Sequence, residues 1–138
     1  MSNVFTSIVF KRSLLAGACI AAAFAANAQS AMPAWQGSGA TRYVCGGIGS
    51  DESTAMRAAM KDHPLSLLFA RADGAYEANV QVDIRGATAT AASFEANGPV
   101  CLIDLPAGKY TIDATARGAT KSQTITVGEG SKSANFRF

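Results

Sequence analysis

The chain has 138 residues, which is the length of a single domain, and its 12 basic residues nearly balance 10 acidic ones. This balance argues against a protein that binds nucleic acid or an anionic membrane through charge, since both classes carry a clear excess of Lys and Arg. A single histidine also leaves little of the material that acid–base catalysis commonly uses.

The first 28 residues have the order of a cleavable secretory signal peptide. Lys11 and Arg12 form a short positive region, the uncharged apolar stretch 13–26 follows, and Ala26-Asn27-Ala28 supplies the small residues that signal peptidase accepts. The apolar stretch is shorter than the ~20 residues of a membrane span, although an uncleaved anchor is the alternative. We expect an exported protein without an integral membrane segment, in the periplasm or alternatively outside the cell.

The cysteines fit an oxidising compartment. Cleavage after Ala28 removes Cys19 and leaves Cys45 and Cys101, and an even number of cysteines in an exported protein favours a disulfide bond. An alternative makes Cys19 a lipidated N-terminus, because the sequence Leu15 to Cys19 loosely resembles a lipobox. Removal of Lys11 and Arg12 would leave ten basic residues against ten acidic ones.

After the signal peptide, the residues 29–40 are rich in small side chains and predict a flexible leader, in which Trp35 could dock on the domain or on a partner. Thr41 to Cys45 predicts a short strand. Ser50 is then a suitable N-cap for a helix over about 51–62, and Pro64 ends that helix by disfavouring helical geometry at His63.

From Leu65 onward, apolar and polar residues alternate, and this period of two is typical of strands with one buried face. Turn signals separate the strands at Asp73-Gly74, Asn97-Gly98, Pro106-Ala107-Gly108 and Gly128-Glu129-Gly130. We therefore expect a mainly β protein, in which residues 41–138 form an antiparallel Ig-like or transthyretin-like β-sandwich of about seven strands with one short helix.

One motif resembles a known family. Leu105-Pro106-Ala107-Gly108-Lys109-Tyr110-Thr111-Ile112, followed by Gly118 and the strand 122–127, is similar to the turn and strand of the carboxypeptidase regulatory-like (transthyretin-like) domain. The segments 46–49 and 65–70, with Met56 and Met60, resemble short exported proteobacterial proteins of unknown function that carry this domain. The resemblance implies a β-sandwich without catalytic residues, because these domains accompany metallo-carboxypeptidases but do not supply the chemistry.

The candidate catalytic residues do not form a convincing set. His63 could belong to a Ser-His-Asp arrangement, but the sequence contains no Gly-x-Ser-x-Gly elbow. Asp51 and Glu52 are adjacent on the predicted helix, so their side chains point apart and suit the positive helix N-terminus. We therefore expect a protein that is not an enzyme and needs no cofactor, with an unrecognised hydrolase as a weaker alternative.

Met56, Met60 and His63 carry the only metal hypothesis. Their spacing of four and three residues places them on one face of a helix, and two thioethers with an imidazole suit copper(I). The same spacing is also the ordinary apolar face of a helix that packs on a sheet. The leading hypothesis is a non-catalytic interaction or binding module, whose partner is another envelope protein bound through an edge strand; a periplasmic copper-binding protein is the alternative.

Overall fold

A computed structural model describes residues 32–138. The predicted signal peptide (1–28), Cys19 and the first residues of the leader (29–31) lie outside the described residues, so the statements about them stay predictions. Over residues 32–138, no helix is long and apolar enough to cross a membrane.

Two sheets pack face to face, which confirms the predicted β-sandwich. The first has the strand order β1-β2-β6-β3-β9, formed by Gln36–Ser38, Thr41–Gly46, Val100–Asp104, Leu65–Ala70 and Lys132–Arg137. The second has the order β5-β4-β7-β8, formed by Thr90–Ala96, Val80–Arg85, Gly108–Ala116 and Ala119–Val127. The described residues thus form nine strands where the sequence predicts about seven.

The core lies between the sheets, because alternate residues of each strand point inward. Strand β4 shows the pattern most plainly, since Val80, Val82 and Ile84 are fully buried. Strands of both sheets contribute further large core side chains: Leu65, Leu67, Phe69, Ile103, Ile112 and Phe136. The period of two that predicts these strands therefore also identifies their buried faces.

Within residues 32–138, all but one of the strand pairs are antiparallel. The exception is β9, which runs parallel to β3 with Leu65 opposite Lys132 and Phe69 opposite Phe136. A parallel pair cannot be joined by a tight turn. In the sequence, the strands β4 to β8 lie between β3 and β9. The last strand therefore closes the first sheet by returning beside one of its earlier strands.

Most of the predicted turns carry the chain from one sheet to the other. The Asn97-Gly98 turn leads from β5 to β6, and a Cβ atom at Gly98 would overlap the backbone of Gly46. The residues 72–75, which predict a hairpin, do fold back so that Ala70 bridges Tyr76. The chain then crosses to the second sheet, so β3 and β4 are not paired.

Helix α1, Ser50–Ala59, packs on the outer face of the first sheet and continues as a single 3-10 turn, Met60–Asp62. The sequence favours Ser50 as the N-cap of this helix, but the N-cap is Gly49 and no side chain caps the helix by a hydrogen bond. The Glu52 carboxylate accepts a hydrogen bond from the Gly47 amide (2.7 Å), just before the helix. The helix buries its apolar side in a second small core that contains Val44, Met56, Val100 and Leu102. The sequence predicts this helix with an error of one residue at its start.

The predicted leader is partly structured. Gln36–Ser38 forms β1, which pairs antiparallel with β2 through a turn at Gly39 (φ +67°). Trp35 packs against the second core beside the helix. The composition of the segment gives no sign of this strand, because all three residues of β1 are exposed and its stability comes from pairing with β2.

Candidate functional site

The disulfide bond predicted from the sequence is present. Cys45 on β2 and Cys101 on β6 are directly opposite each other, with Cα atoms 4.1 Å apart, and their sulfurs are bonded. Cys101 is fully buried and Cys45 nearly so. The bridge joins neighbouring strands inside one sheet, and it fixes the N-terminal strand to the centre of that sheet.

The three residues of the metal hypothesis do not share one helical face. The α-helix ends at Ala59 and His63 has an extended backbone (φ −122°, ψ 147°), so the helical spacing stops before the histidine. Met56 is fully buried in the second core, and Met60 packs against that core. Among residues 32–138, no group of three or more His, Cys, Asp or Glu side chains could hold a metal ion.

His63 lies in a small cluster at the end of the first sheet. Its Nδ1 is 2.8 Å from Oδ1 of Asp104 on β6, and its ring lies 4.7 Å from the ring of Trp35. The Arg42 guanidinium lies over the Trp35 ring, 5.5 Å from the ring centre. No serine hydroxyl in the described part of the chain hydrogen-bonds the imidazole, and the contacts of the cluster attach the leader to the domain.

A different surface has the character of a binding site. We call it the cationic groove: a depression of about 470 Å³ between the end of α1 and the strands β3 and β9. Its polar side chains are three cations and three hydroxyls: Arg57, Lys61, Lys132, Ser66, Ser131 and Ser133. Ala58 and Met60 add an apolar part to the wall.

Backbone pairing positions the serines of the groove. Ser66 on β3 is opposite Ser133 on the parallel strand β9, so both lie on the outer face of the first sheet, beneath the helix end. The Ser131 hydroxyl donates to the Lys61 carbonyl (3.4 Å), and the Lys132 amide donates to the Pro64 carbonyl (3.0 Å). These bonds hold the segment before β9 against the 3-10 turn and give the groove its second wall.

Ser66 is unusual within this groove. It is only 1% exposed, and its hydroxyl has no hydrogen-bond partner in the structure of residues 32–138. Buried polar groups almost always have a partner, since leaving one unpaired costs about 1–3 kcal/mol. The hydroxyl is therefore a donor that none of the described residues uses.

The charges of the groove are uncompensated. Within residues 32–138, none of Arg57, Lys61 and Lys132 forms an ion pair, and no acidic side chain lines the groove. The Arg57 guanidinium is instead held by a hydrogen bond to Ser53 (3.3 Å) and lies over the ring of Tyr76 (5.9 Å). Cations at the end of a helix also complement its dipole, but that reason does not extend to Lys132 on β9.

Sequence reasoning missed this groove. Its side chains come from positions 57–66 and 131–133, and they meet only because β9 returns beside β3. The pattern Ser131-Lys132-Ser133 was the available signal, but by itself it is an ordinary polar strand start. No family model matches the sequence, and no curated protein matches it at a significant level.

Proposed function

We propose that this protein is an exported, non-catalytic binding module and that the cationic groove holds an anionic ligand. The observation that carries the proposal is the buried hydroxyl of Ser66, which has no partner within residues 32–138 and borders a groove that these residues line with three cations and no acid. A ligand with acceptor oxygens would supply the missing hydrogen bond. It would also neutralise charges that no side chain of residues 32–138 compensates.

The sequence supports the non-catalytic part of the proposal. The motif Leu105 to Ile112 resembles regulatory-like domains, which accompany enzymes without supplying catalytic residues. In the present fold Tyr110 is nearly buried and donates a hydrogen bond to the Pro106 carbonyl (2.7 Å), so this motif builds the end of the sandwich. The copper hypothesis gains no support, since Met56 is enclosed by the second core.

The test compares two double variants with the same change in net charge. Lys61→Gln/Lys132→Gln removes two cations from the groove, and Lys109→Gln/Lys121→Gln removes two exposed lysines elsewhere. We expect citrate or phosphate to raise the melting temperature of the wild type and of the second variant above that in chloride at equal ionic strength. The first variant should lose most of this increase, because a ligand stabilises only the state that binds it.

The matched pair separates site binding from the general effect of such salts, which stabilise most folded proteins by exclusion from their surface. Equal increases in the wild type and both variants would show that the groove binds no anion. That result would overturn the proposal.

For a protein partner, we propose another envelope protein that adds a strand to an edge of the sandwich. The outer edges of the second sheet are β5 and β8, and edge strands can pair with an added strand. The neighbouring edge, β9, is partly closed because the Gln123 side chain donates to the Asn135 carbonyl. A photo-crosslinker at exposed Glu95 on β5 or exposed Lys121 on β8 should capture an envelope protein in intact cells; no capture at either position contradicts this partner.

A further inference from the structure

The chemistry of the cationic groove restricts the kind of anion that it would hold. The side chains with a polar group that line the groove are one guanidinium, two ammonium groups and three hydroxyls, of which the Ser131 hydroxyl already donates its hydrogen to the Lys61 carbonyl. The donors come from the helix, the 3-10 turn, β3 and the start of β9, so they surround the space from several directions. Such a site favours a negatively charged ligand group that carries several acceptor oxygens.

A carboxylate fits this requirement poorly, because it has only two oxygens and both lie in one plane. A phosphate monoester has three terminal oxygens and a charge of about −1.5 to −2. A sulfate monoester has the same tetrahedral arrangement of oxygens with a lower charge. The tetrahedral group is therefore the better match to donors that are distributed around a groove.

The size of the groove argues that the ligand is more than a free inorganic ion. Its volume of about 470 Å³ lies within the ~300–1,000 Å³ range of sites for small organic molecules. Ala58 and the partly buried Met60 form an apolar part of the wall, beside which the organic portion of an ester could lie. An inorganic ion would use the cations and leave this part of the wall empty.

We propose that the cationic groove binds the phosphate or sulfate group of a small organic monoester, and that the Ser66 hydroxyl donates a hydrogen bond to one of its terminal oxygens. This inference rests on the proposed function and adds the chemical class of the ligand. Lys61, Lys132 and Arg57 are the cationic residues that line the groove. The proposal is one of binding only, and no bond of the ester is broken.

Calorimetric titration with three probes that share a phenyl ring tests the chemical class of the ligand. The probes are phenyl phosphate, phenyl sulfate and benzoate, at equal ionic strength in chloride. We expect one or both esters to bind at least about tenfold more tightly than benzoate. The stronger of the two esters identifies the source of the tetrahedral group. Inorganic phosphate should bind more weakly than phenyl phosphate, because it makes no contact with the apolar wall.

Variants of the purified protein locate the binding. Ser66→Ala should lower the affinity for the preferred ester about tenfold or more while the domain stays folded, since a hydrogen bond to a charged group is lost. Lys61→Gln/Lys132→Gln should lose measurable binding, and Lys109→Gln/Lys121→Gln should bind as the wild type does. An unchanged affinity in Ser66→Ala overturns the assigned hydrogen bond.

The outcomes distinguish the two proposals. Benzoate binding as tightly as the esters, and lost in Lys61→Gln/Lys132→Gln, overturns the ester but leaves the groove as an anion site. An affinity for the ester that is equal in both lysine double variants overturns the assignment of the binding site to the cationic groove. Absence of binding by all three probes, together with equal melting shifts in citrate, overturns both.

Discussion

The burial of Ser66 is set by its neighbours and not by its own chemistry. It lies on the outer face of β3, where an isolated sheet would expose it to water, but the end of α1 and the segment before β9 cover that face. Leu68, two residues further along the same face, packs against the second core, as an outer position under a helix should. At Ser66 the covered position is polar, and the resulting cost is one that a purely structural site would avoid.

Ser66→Ala should therefore not weaken the protein without ligand. We expect a free energy of unfolding that is unchanged or raised by up to about 1 kcal/mol, because the variant removes a buried hydroxyl that has no partner among residues 32–138. Ser133→Ala, at the exposed neighbouring position on β9, should stay within about 0.5 kcal/mol of the wild type. Urea denaturation measures both. A loss of more than about 1 kcal/mol in Ser66→Ala would mean that the hydroxyl has a structural role.

Gly98 is required by a close approach of two backbones. A Cβ atom at this position would overlap the backbone of Gly46, where the turn after β5 crosses the end of β2. Gly98→Ala should cost at least about 2 kcal/mol, since the backbone has to move. Gly128→Ala is the control, because a Cβ atom there meets nothing within 4 Å and its φ is not positive. Similar denaturation midpoints for the two variants would contradict the close approach.

At the scale of elements, the disulfide bond has the largest expected effect on the unfolded chain. The bridged cysteines are 56 residues apart in sequence, so opening the bridge releases a long loop, worth about 4 kcal/mol in the loop-entropy estimate. Cys45→Ala/Cys101→Ala should lose about 2–5 kcal/mol in chemical denaturation. Titration of denatured, unreduced wild-type protein should detect no thiol from these two cysteines. A double variant as stable as the wild type would contradict the estimate.

Helix α1 depends on Met56 as an apolar contact. Met56→Leu/Met60→Leu conserves side-chain volume and should cost less than about 1.5 kcal/mol for each site, whereas Met56→Ala should cost about 2–5 kcal/mol because it leaves a cavity in the second core. Thermal denaturation compares the variants. Copper(I) titration gives the independent readout: binding by the wild type that disappears in the double Leu variant would restore the metal hypothesis.

The elements themselves could be predicted to a large extent. The period of two identifies β4 with its observed bounds, and Pro64 correctly ends the helical segment. Strand partners are a different matter, because the alternation of residues says which face is buried but not which strand lies beside it. The exposed strand β1, the parallel pair β3–β9 and the cationic groove all depend on such partners. Only the folded chain brings Lys61, Ser66 and Lys132 together.

At the scale of the whole molecule, the last strand, β9, links segments that are far apart in the sequence. β9 pairs with β3, and its side chains fill the core between the sheets. Phe136 is almost completely buried, and its ring centre lies 5.8 Å from that of Phe69. The same strand carries one wall of the groove at its other end. Damage to its core contact should therefore affect the sandwich, the helix and the groove together.

Phe136→Ala should lower the free energy of unfolding by about 3–5 kcal/mol, because it removes a large buried ring and leaves a cavity in the core. Phe138→Ala, at the half-exposed end of the chain, keeps the backbone bond to the Ala70 carbonyl (3.0 Å) and should lose much less.

Two probes measure the transition in each protein. Circular dichroism follows the sheets, and the fluorescence of Trp35, the only tryptophan, follows the leader and the helix side of the first sheet. If the domain unfolds as one cooperative unit, Phe136→Ala should shift both midpoints equally, since the tryptophan and the sandwich core lie on the two faces of the same sheet. A shift of the circular dichroism midpoint with an unchanged fluorescence midpoint would show that the outer layer, formed by the leader and helix α1, is stable without the sandwich core. The groove is lined by the end of α1 and by the strands β3 and β9. It would then be formed by two parts of the protein that unfold separately.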